Sequence, residues 1–321
     1  MKVAIAGGAG YTGGELLRLL VHHPEIQITQ VLSNSQAGKP VTDIHPDLLG
    51  SLDIEFSPEL TENFDCIFLC MGHGRSGKFL QEINISSDKI VIDLSNEFRF
   101  EDGKHSFTYG LPEWQKDKIA NSTNIANPGC FATTIQLGLL PLASSNLIRS
   151  DIHVTAITGS TGAGQSLSPT SHFSWRNNNV SIYKLFTHQH IPEIQQSAKA
   201  LQNTFDKEIY MVPVRGNFSR GILASIYLDN NHLDKKDVND LYSEYYSNHP
   251  FVKVTSNNLD VKQVVNTNFC FLKIELIKDK IHITSILDNL IKGASGQAVQ
   301  NLNIIAGWPE ETGLLLKASA F

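Results

Sequence analysis

Cysteine is scarce in this chain: four residues in 321, at Cys66, Cys70, Cys130 and Cys270. Four cannot knit a chain of this length, which excludes a disulfide scaffold. No run of about twenty apolar residues occurs, so no membrane-spanning helix and no membrane partner are expected. Positive charge is not in excess either. The formal net charge is −6, and the basic footprint of a nucleic-acid binder is missing. The opening stretch, MKVAIAGGAGYTGG, holds no long apolar segment of the secretory kind, so the cytoplasm is the expected compartment. Internal repeats, low-complexity tracts and charge blocks are also absent.

What is present is enough to build cores. The apolar share is 41 % and the charged share 18 %, which excludes wholesale disorder. The length suggests two domains. Residues 2–6 (KVAIA) form a short apolar run closed by glycine, the pattern of a buried strand, and 13–22 (GELLRLLVHH) carry apolar residues at helical spacing. IQITQVLS (26–33), DCIFLCM (65–71) and KIVIDLS (89–95) read as further strands. Strands alternating with helical segments predict βαβ units and a parallel sheet. An apolar helix is predicted over 130–142, after the turn Asn127-Pro128-Gly129.

From about residue 150 the texture changes. Strands are predicted at 153–160, 208–214 and 221–229, a helix at 233–246, a hairpin at 268–287 turning at KDK, and a last helix at 292–305. This half reads as mostly antiparallel. Residues 161–190 are rich in Ser, Thr, Asn, Gly and His and weak in periodicity, and so long a stretch inside a globular chain usually serves function.

Gly7, Gly10 and Gly13 stand between the first strand and the first helix. Glycine there lets the backbone turn tightly and approach a pyrophosphate, while the helix start supplies N–H donors. A dinucleotide is the expected ligand. Binders of NAD usually carry an acid after the second strand to hold the ribose 2′-hydroxyl. Residues 31–39 (VLSNSQAGK) carry none, and Ser33, Ser35 and Lys39 favour a 2′-phosphate, hence NADP.

Cys130 opens a predicted helix, where the dipole and free N–H groups stabilise a thiolate. A thiolate beside a nicotinamide site suggests covalent catalysis through a thioester. In an extended segment His188 and His190 point the same way, and one of them can serve as acid/base. Cys130, His188, His190 and Glu193 could also be read as zinc ligands. They lack a closed four-ligand spacing, so no metal is expected. Cys66, Cys70 and Cys270 lie in apolar runs and read as small buried hydrophobes. On one strand Cys66 and Cys70 would be about 13 Å apart, too far for a disulfide. Arg99 ends a strand, and Arg215 and Arg220 flank the glycine of VPVRGNFSRG; each could clamp a phosphate or carboxylate.

With these residues in view, the chain resembles the N-acyl-γ-glutamyl-phosphate reductases, an arginine-pathway family of the aspartate-semialdehyde dehydrogenase superfamily. The matches run end to end: residues 7–14 (GGAGYTGG), 37–39 (AGK), 45–46 (HP), 93–99 (DLSNEFR), 109–114 (YGLPEW), 127–130 (NPGC), 158–165 (TGSTGAGQ), 188–194 (HQHIPEI), 217–223 (NFSRGIL) and 288–300 (DNLIKGASGQAVQ). NPGC together with HxHxPEI is the specific pair. The family usually continues its cysteine with Tyr-Pro-Thr, whereas this chain has Phe131-Ala132-Thr133. The thiol and the helix start remain, so activity is expected to survive.

The resemblance implies an α/β protein. A Rossmann-type NADP-binding domain would span 1–145 plus 290–321, the last helix returning to it. An α+β domain with a mixed, mainly antiparallel sheet would span 146–289 and carry substrate contacts and the oligomer interface. NADPH would reduce an N-acylglutamyl 5-phosphate, an acyl phosphate, through a Cys130 thioester. Acetyl is the first-choice acyl group; succinyl, a carrier-linked amino group or another acyl phosphate are the alternatives. A homo-oligomer, dimer or tetramer, is implied. The matched motifs place Tyr11, Thr12, Gly162, Gly164 and Asn289 at the cofactor, and Ser95, Asn127, Arg99, Arg215 and Arg220 at the substrate. His188 is the first choice for the acid/base and His190 the second.

Overall fold

The computed structural model describes residues 1–230 and 233–319. They form two compact units, Met1–Pro128 with Ala294–Leu315, and Gly129–Gly293 with Leu316 onward.

The first unit is built on a seven-stranded sheet. Its elements in chain order are β1 (Lys2–Ala6), α1 (Tyr11–Leu20), β2 (Gln27–Leu32), β3 (Phe56–Ser57), β4 (Cys66–Leu69), α2 (Ser76–Glu82), β5 (Ile90–Asp93), β6 (Thr108–Tyr109), α3 (Pro112–Ala120) and β7 (Asn124–Ala126). The strand order is β3-β2-β1-β4-β5-β7-β6 and every pairing is parallel. Strands β1, β4 and β5 are apolar runs buried on both faces, as a parallel sheet flanked by helices requires. The chain leaves β1 in one direction to β2 and later returns on the other side as β4. That reversal opens a crevice at the carboxyl ends of β1 and β4, where such sheets bind ligands.

The second unit holds α4 (Cys130–Ser144), β8 (Ile152–Thr158), α5 (Phe173–Arg176), β9 (Ser181–Ile182), α6 (Ile191–Leu201), β10 (Ile209–Arg215), β11 (Ile222–Asp229), α7 (Lys235–Tyr245), β12 (Val252–Val254), β13 (Cys270–Ile277) and β14 (Lys280–Leu287). Its sheet order is β12-β13-β14-β11-β8-β10-β9, mixed and mainly antiparallel. After it the chain rejoins the first unit as α8 (Gly296–Ile305), which packs on α1 and α3. No helix of the described residues is long and apolar enough to cross a membrane.

Three boundaries differ from the sequence reading, since the residues from Leu316 onward also fall with the second unit where 290–321 was expected in the first. The units divide after Pro128 and after Gly293, where the sequence suggested 145 and 290. The reason is α4, whose residues 131–143 are all buried and which packs on β11, β13, β14, α6 and α7. The predicted helix over 292–305 also splits: residues Ile291–Ser295 wind as one wider turn before α8 begins.

Helix α4 contains Pro141, which has no N–H to give to Leu137 four residues back. The hydroxyl of Tyr246, just past α7, donates to that Leu137 carbonyl, and the hydroxyl of Tyr242 donates to Gly138 O. A buried acceptor that proline would orphan is thereby satisfied from a neighbouring helix.

Candidate active site

The glycine loop of the first unit is shaped by contact. Gly7 has φ +79°, and a Cβ there would lie 2.7 Å from the Cys70 carbonyl carbon and oxygen at the end of β4. A Cβ on Gly13 would lie 2.7 Å from Gly8, so α1 sits directly on the loop. Gly10 precedes α1 and no side chain caps that helix. The first-turn N–H groups, of Tyr11, Thr12 and Gly13, keep the donor character that suits an anion. The glycine cradle therefore fits a dinucleotide. After β2, Ser33 and Ser35 stand 3.4 Å apart, Oγ to Oγ, and the Lys39 ammonium donates to Gln36 Oε1 at 3.0 Å.

Other first-unit candidates are engaged internally. Ser95 is buried and donates to Asp93 Oδ2 at 2.6 Å; Ser76 donates to Asp93 Oδ1 at 2.6 Å. Burial pushes the Asp93 carboxyl up, against the two hydroxyls that pull it down. Glu97 accepts the backbone N–H groups of Ser76 and Gly77 at 2.8 and 2.9 Å, which closes the start of α2. Arg99 is buried and donates to Asn127 O at 2.9 Å and Leu94 O at 3.1 Å. Asn127 in turn donates to Ala294 O and accepts from Asn301.

The second unit gathers the cysteine and both histidines. Cys130 is the first residue of α4, half-buried, behind Gly129. The His190 ring lies on Gly129: a Cβ at Gly129 would be 2.3 Å from His190 Nε2. On the other side Gly293 approaches so closely that a Cβ there would be 2.9 Å from Cys130 Cβ. Glycine at 129 and 293 is thus a steric requirement of the thiol's position.

Glu193, in the first turn of α6, reads on the sequence only as a possible zinc ligand. It is buried, accepts the Gly129 N–H on Oε2 at 3.0 Å, and brings Oε1 within 3.9 Å of His190 Nε2. His188 differs from His190. Its Nδ1 accepts the His190 backbone N–H at 3.2 Å, so a neutral ring carries its proton on Nε2. Burial first, and the charges of Lys184 and Arg215 after it, push the His188 pKa down to about 4. The two rings are 4.6 Å apart, and Phe131 packs edge-on against both.

Of Arg215 and Arg220, the two that flank Gly216, Arg220 is committed. Its Nε and Nη2 donate to Asp288 at 3.0 and 3.3 Å, and Asp288 also accepts the backbone N–H groups of Asn266, Leu290 and Ile291. Arg215 instead lies over the Tyr183 ring at 4.6 Å. Asn289 accepts the Gly221 N–H at 2.7 Å and donates to Thr161 Oγ1 at 3.1 Å. It ties the 160–164 loop to the end of β14. In that loop Gly164 takes φ +74° with open space around it, and Gly162 faces Thr158 Oγ1. Arg176 and Tyr183, which the sequence reading did not single out, lie in the aperiodic stretch it marked as functional.

A family model described as the semialdehyde dehydrogenase NAD binding domain matches residues 2–122, and one described as the semialdehyde dehydrogenase dimerisation domain matches 130–289. The chain belongs to the semialdehyde dehydrogenase family. Its first unit is the nicotinamide-dinucleotide-binding part, and the second is the part through which the family self-associates. This semialdehyde dehydrogenase is 52 % identical over 322 residues, all of both chains, to the N-acetyl-gamma-glutamyl-phosphate reductase of Parabacteroides distasonis. It is 50 % identical, again over the full length of both, to proteins of the same name from Christiangramia forsetii and Bacteroides thetaiotaomicron. Among solved structures it is similar to aspartate semialdehyde dehydrogenase II of Vibrio cholerae bound to ASA (TM-score 0.73, 17 % identity, 95 % of this chain and 98 % of that one). The aspartate semialdehyde dehydrogenase of Candida albicans with NADP gives a TM-score of 0.71 at 14 % identity, covering 95 % of this chain and 98 % of that one. At such identities these structures establish the fold.

Proposed function

We propose that this semialdehyde dehydrogenase reduces N-acetyl-L-glutamyl 5-phosphate to N-acetyl-L-glutamate 5-semialdehyde and phosphate, with NADPH as reductant. The observation that carries the reading is the placement of Cys130 at the start of α4, with His190 on Gly129 and Glu193 bonded to the Gly129 N–H. The relatives that bear the reductase name match over their full length, which supports the same substrate class here.

In the proposed reaction the Cys130 thiolate attacks the acyl phosphate carbonyl. A C–S bond forms, the C–O bond to phosphate breaks, and phosphate departs with the bonding pair. NADPH, when bound, supplies the hydride that reduces the thioester. The oxyanion so formed on the Cys130 adduct collapses to aldehyde and expels the thiolate, which is then ready for another cycle. We assign the proton that this oxyanion takes up and gives back to His190. Glu193 at 3.9 Å supplies counter-charge to a protonated ring. A His188 pKa near 4 leaves that ring neutral at working pH, suited to donating a hydrogen bond rather than a proton. The preference for NADP over NAD rests on Ser33, Ser35 and Lys39, with no acid among residues 33–39.

We infer a dimer for the oligomer. Most of the exposed large hydrophobic side chains among the described residues lie between 167 and 227, including Leu167, Phe173, Val180, Ile182, Tyr210 and Tyr227. All fall within the part matched by the dimerisation model, and exposed apolar side chains gathered in that part suit burial against a second copy.

The test is the reaction run backwards: phosphate-dependent reduction of NADP, and separately NAD. The substrates are N-acetyl- and N-succinyl-glutamate 5-semialdehyde and aspartate semialdehyde, each with wild type and Cys130→Ala. Activity with the N-acetyl substrate and NADP, lost in the variant, is expected. Activity with aspartate semialdehyde alone, or full activity in the variant, would overturn the reading.

A further inference from the structure

β9 pairs antiparallel with β10, and Ser181 lies directly opposite Arg215. Residues so paired share a face of the sheet. Arg176, at the end of α5, reaches the same serine: its Nη1 and Nη2 are 3.4 and 3.5 Å from Ser181 Oγ, and Nη2 donates to Asn179 O at 2.9 Å. Two guanidinium groups are thus drawn to one place. Burial, and then the charge of Arg215, push the Arg176 guanidinium down, as expected of like charges held together.

Arg176 is only 7 % exposed. The Nε of Arg176 and the Nε of Arg215 are both buried with no hydrogen-bond partner. The partners of the two are neutral: the Ser181 hydroxyl, the Asn179 carbonyl and the Trp175 ring at 4.9 Å for Arg176, and for Arg215 the Tyr183 side chain, whose ring lies at 4.6 Å and whose hydroxyl is its hydrogen-bond partner. Among the described residues no carboxylate pairs with either. Buried arginine is normally matched by an anion, and its planar fork suits the two oxygens of a carboxylate or phosphate.

The pair lies beside the residues assigned to chemistry. The Tyr183 ring under Arg215 is 5.8 Å from the His188 ring, which is 4.6 Å from His190. Burial, and after it the negative charge of a Cys130 thiolate, hold the Tyr183 hydroxyl up at about 12.

We propose that Arg176 and Arg215 together form an oxyanion site that takes an anionic group of the substrate, a carboxylate or the phosphate. This rests on the reductase reading for the identity of the substrate, but not for the presence of the site. The pair accounts for the two unmatched charges. It also explains the aperiodic 161–190 stretch, which carries one arginine to the other. Arg220, tied to Asp288, is left to hold the 288–291 turn.

Protection of Cys130 from iodoacetamide tests the site without turnover, with alkylation followed by intact mass. The probes are inorganic phosphate, N-acetylglutamate and N-succinylglutamate, on wild type, Arg176→Gln and Arg176→Lys. Loss of a charge-assisted contact should raise the half-protecting concentration about tenfold or more in Arg176→Gln. The lysine variant, which keeps charge and loses the fork, should fall between. A shift for phosphate alone assigns the site to the phosphoryl group; a shift for the acylglutamates alone assigns it to a carboxylate. Unchanged protection in whichever variants fold, or no protection of wild type by any probe, overturns the proposal. Shifted protection in a protein that reduces no acylglutamyl substrate would keep the oxyanion site and remove the reductase reading.

Discussion

Glu193 accepts the backbone N–H of Gly129 at 3.0 Å and turns its other oxygen toward His190 at 3.9 Å. One carboxylate thus fixes the residue before the nucleophile and faces the ring assigned to proton transfer. Gln136 locks the arrangement, donating to Glu193 O and Ser197 Oγ, both at 3.0 Å, so that α4 and α6 are pinned where their functional ends meet.

Glu193→Gln keeps an acceptor for Gly129 but removes the charge facing His190. We expect kcat/KM to fall between about tenfold and a hundredfold. The alkaline limb of its pH profile should move to lower pH, because a protonated ring that must give up its proton has lost its counter-charge. A pH series on both proteins measures this; an unshifted limb would leave Glu193 a purely structural role.

His188 sets an acid limit on stability. Its pKa is about 4 in the fold, against about 6.5 when unfolded. Between these values the unfolded chain binds a proton that the folded one refuses, so stability falls as pH drops from about 6.5 to about 4, by about 3 kcal/mol in all. Urea midpoints across that window should show the slope, and His188→Gln should flatten it.

Gly7→Ala places a Cβ 2.7 Å from the Cys70 backbone at φ +79°. The expected outcome is a stability loss of about 1–3 kcal/mol and weaker nucleotide binding. Nucleotide titration alongside thermal melting would separate the two effects.

Tyr246→Phe removes the hydroxyl that serves Leu137 O next to Pro141. Leaving that buried acceptor without it should cost about 1–3 kcal/mol. Denaturant unfolding reads it directly, and nucleotide affinity, a property of the other unit, should not change.

Tyr227→Glu puts a charge on the uncovered face of the second sheet, where Tyr227 stacks on His153 at 4.9 Å. Sedimentation should show a lighter species than wild type. An unchanged mass would move the self-association surface elsewhere.

Much of this protein is legible in its sequence. The strand-glycine-helix start, the parallel first half, the mainly antiparallel second half and Cys130 at a helix start all rest on local signals: period, turn residues and glycine spacing. Short elements escape, among them α2, α3 and the two-residue strands β3, β6 and β9. Each is too brief or too weakly periodic to stand out, and is held in place by tertiary pairing. Sequence spacing treats His188 and His190 as equivalents, because it registers that they share a face and not that Lys184 and Arg215 surround one while Glu193 faces the other. It likewise treats Arg215 and Arg220 alike, although Asp288, 68 residues beyond Arg220, commits only that one.

The sequence by itself determined the fold class, the dinucleotide loop and the family, because these are written in contiguous residues whose conformations are set locally. Tertiary structure alone decided that α4 belongs with the second sheet, that Glu193 stands behind the nucleophile, and that Arg176 meets Arg215. Each of those depends on chain segments brought together by burial, and distance along a sequence carries no record of which buried charge will find which partner.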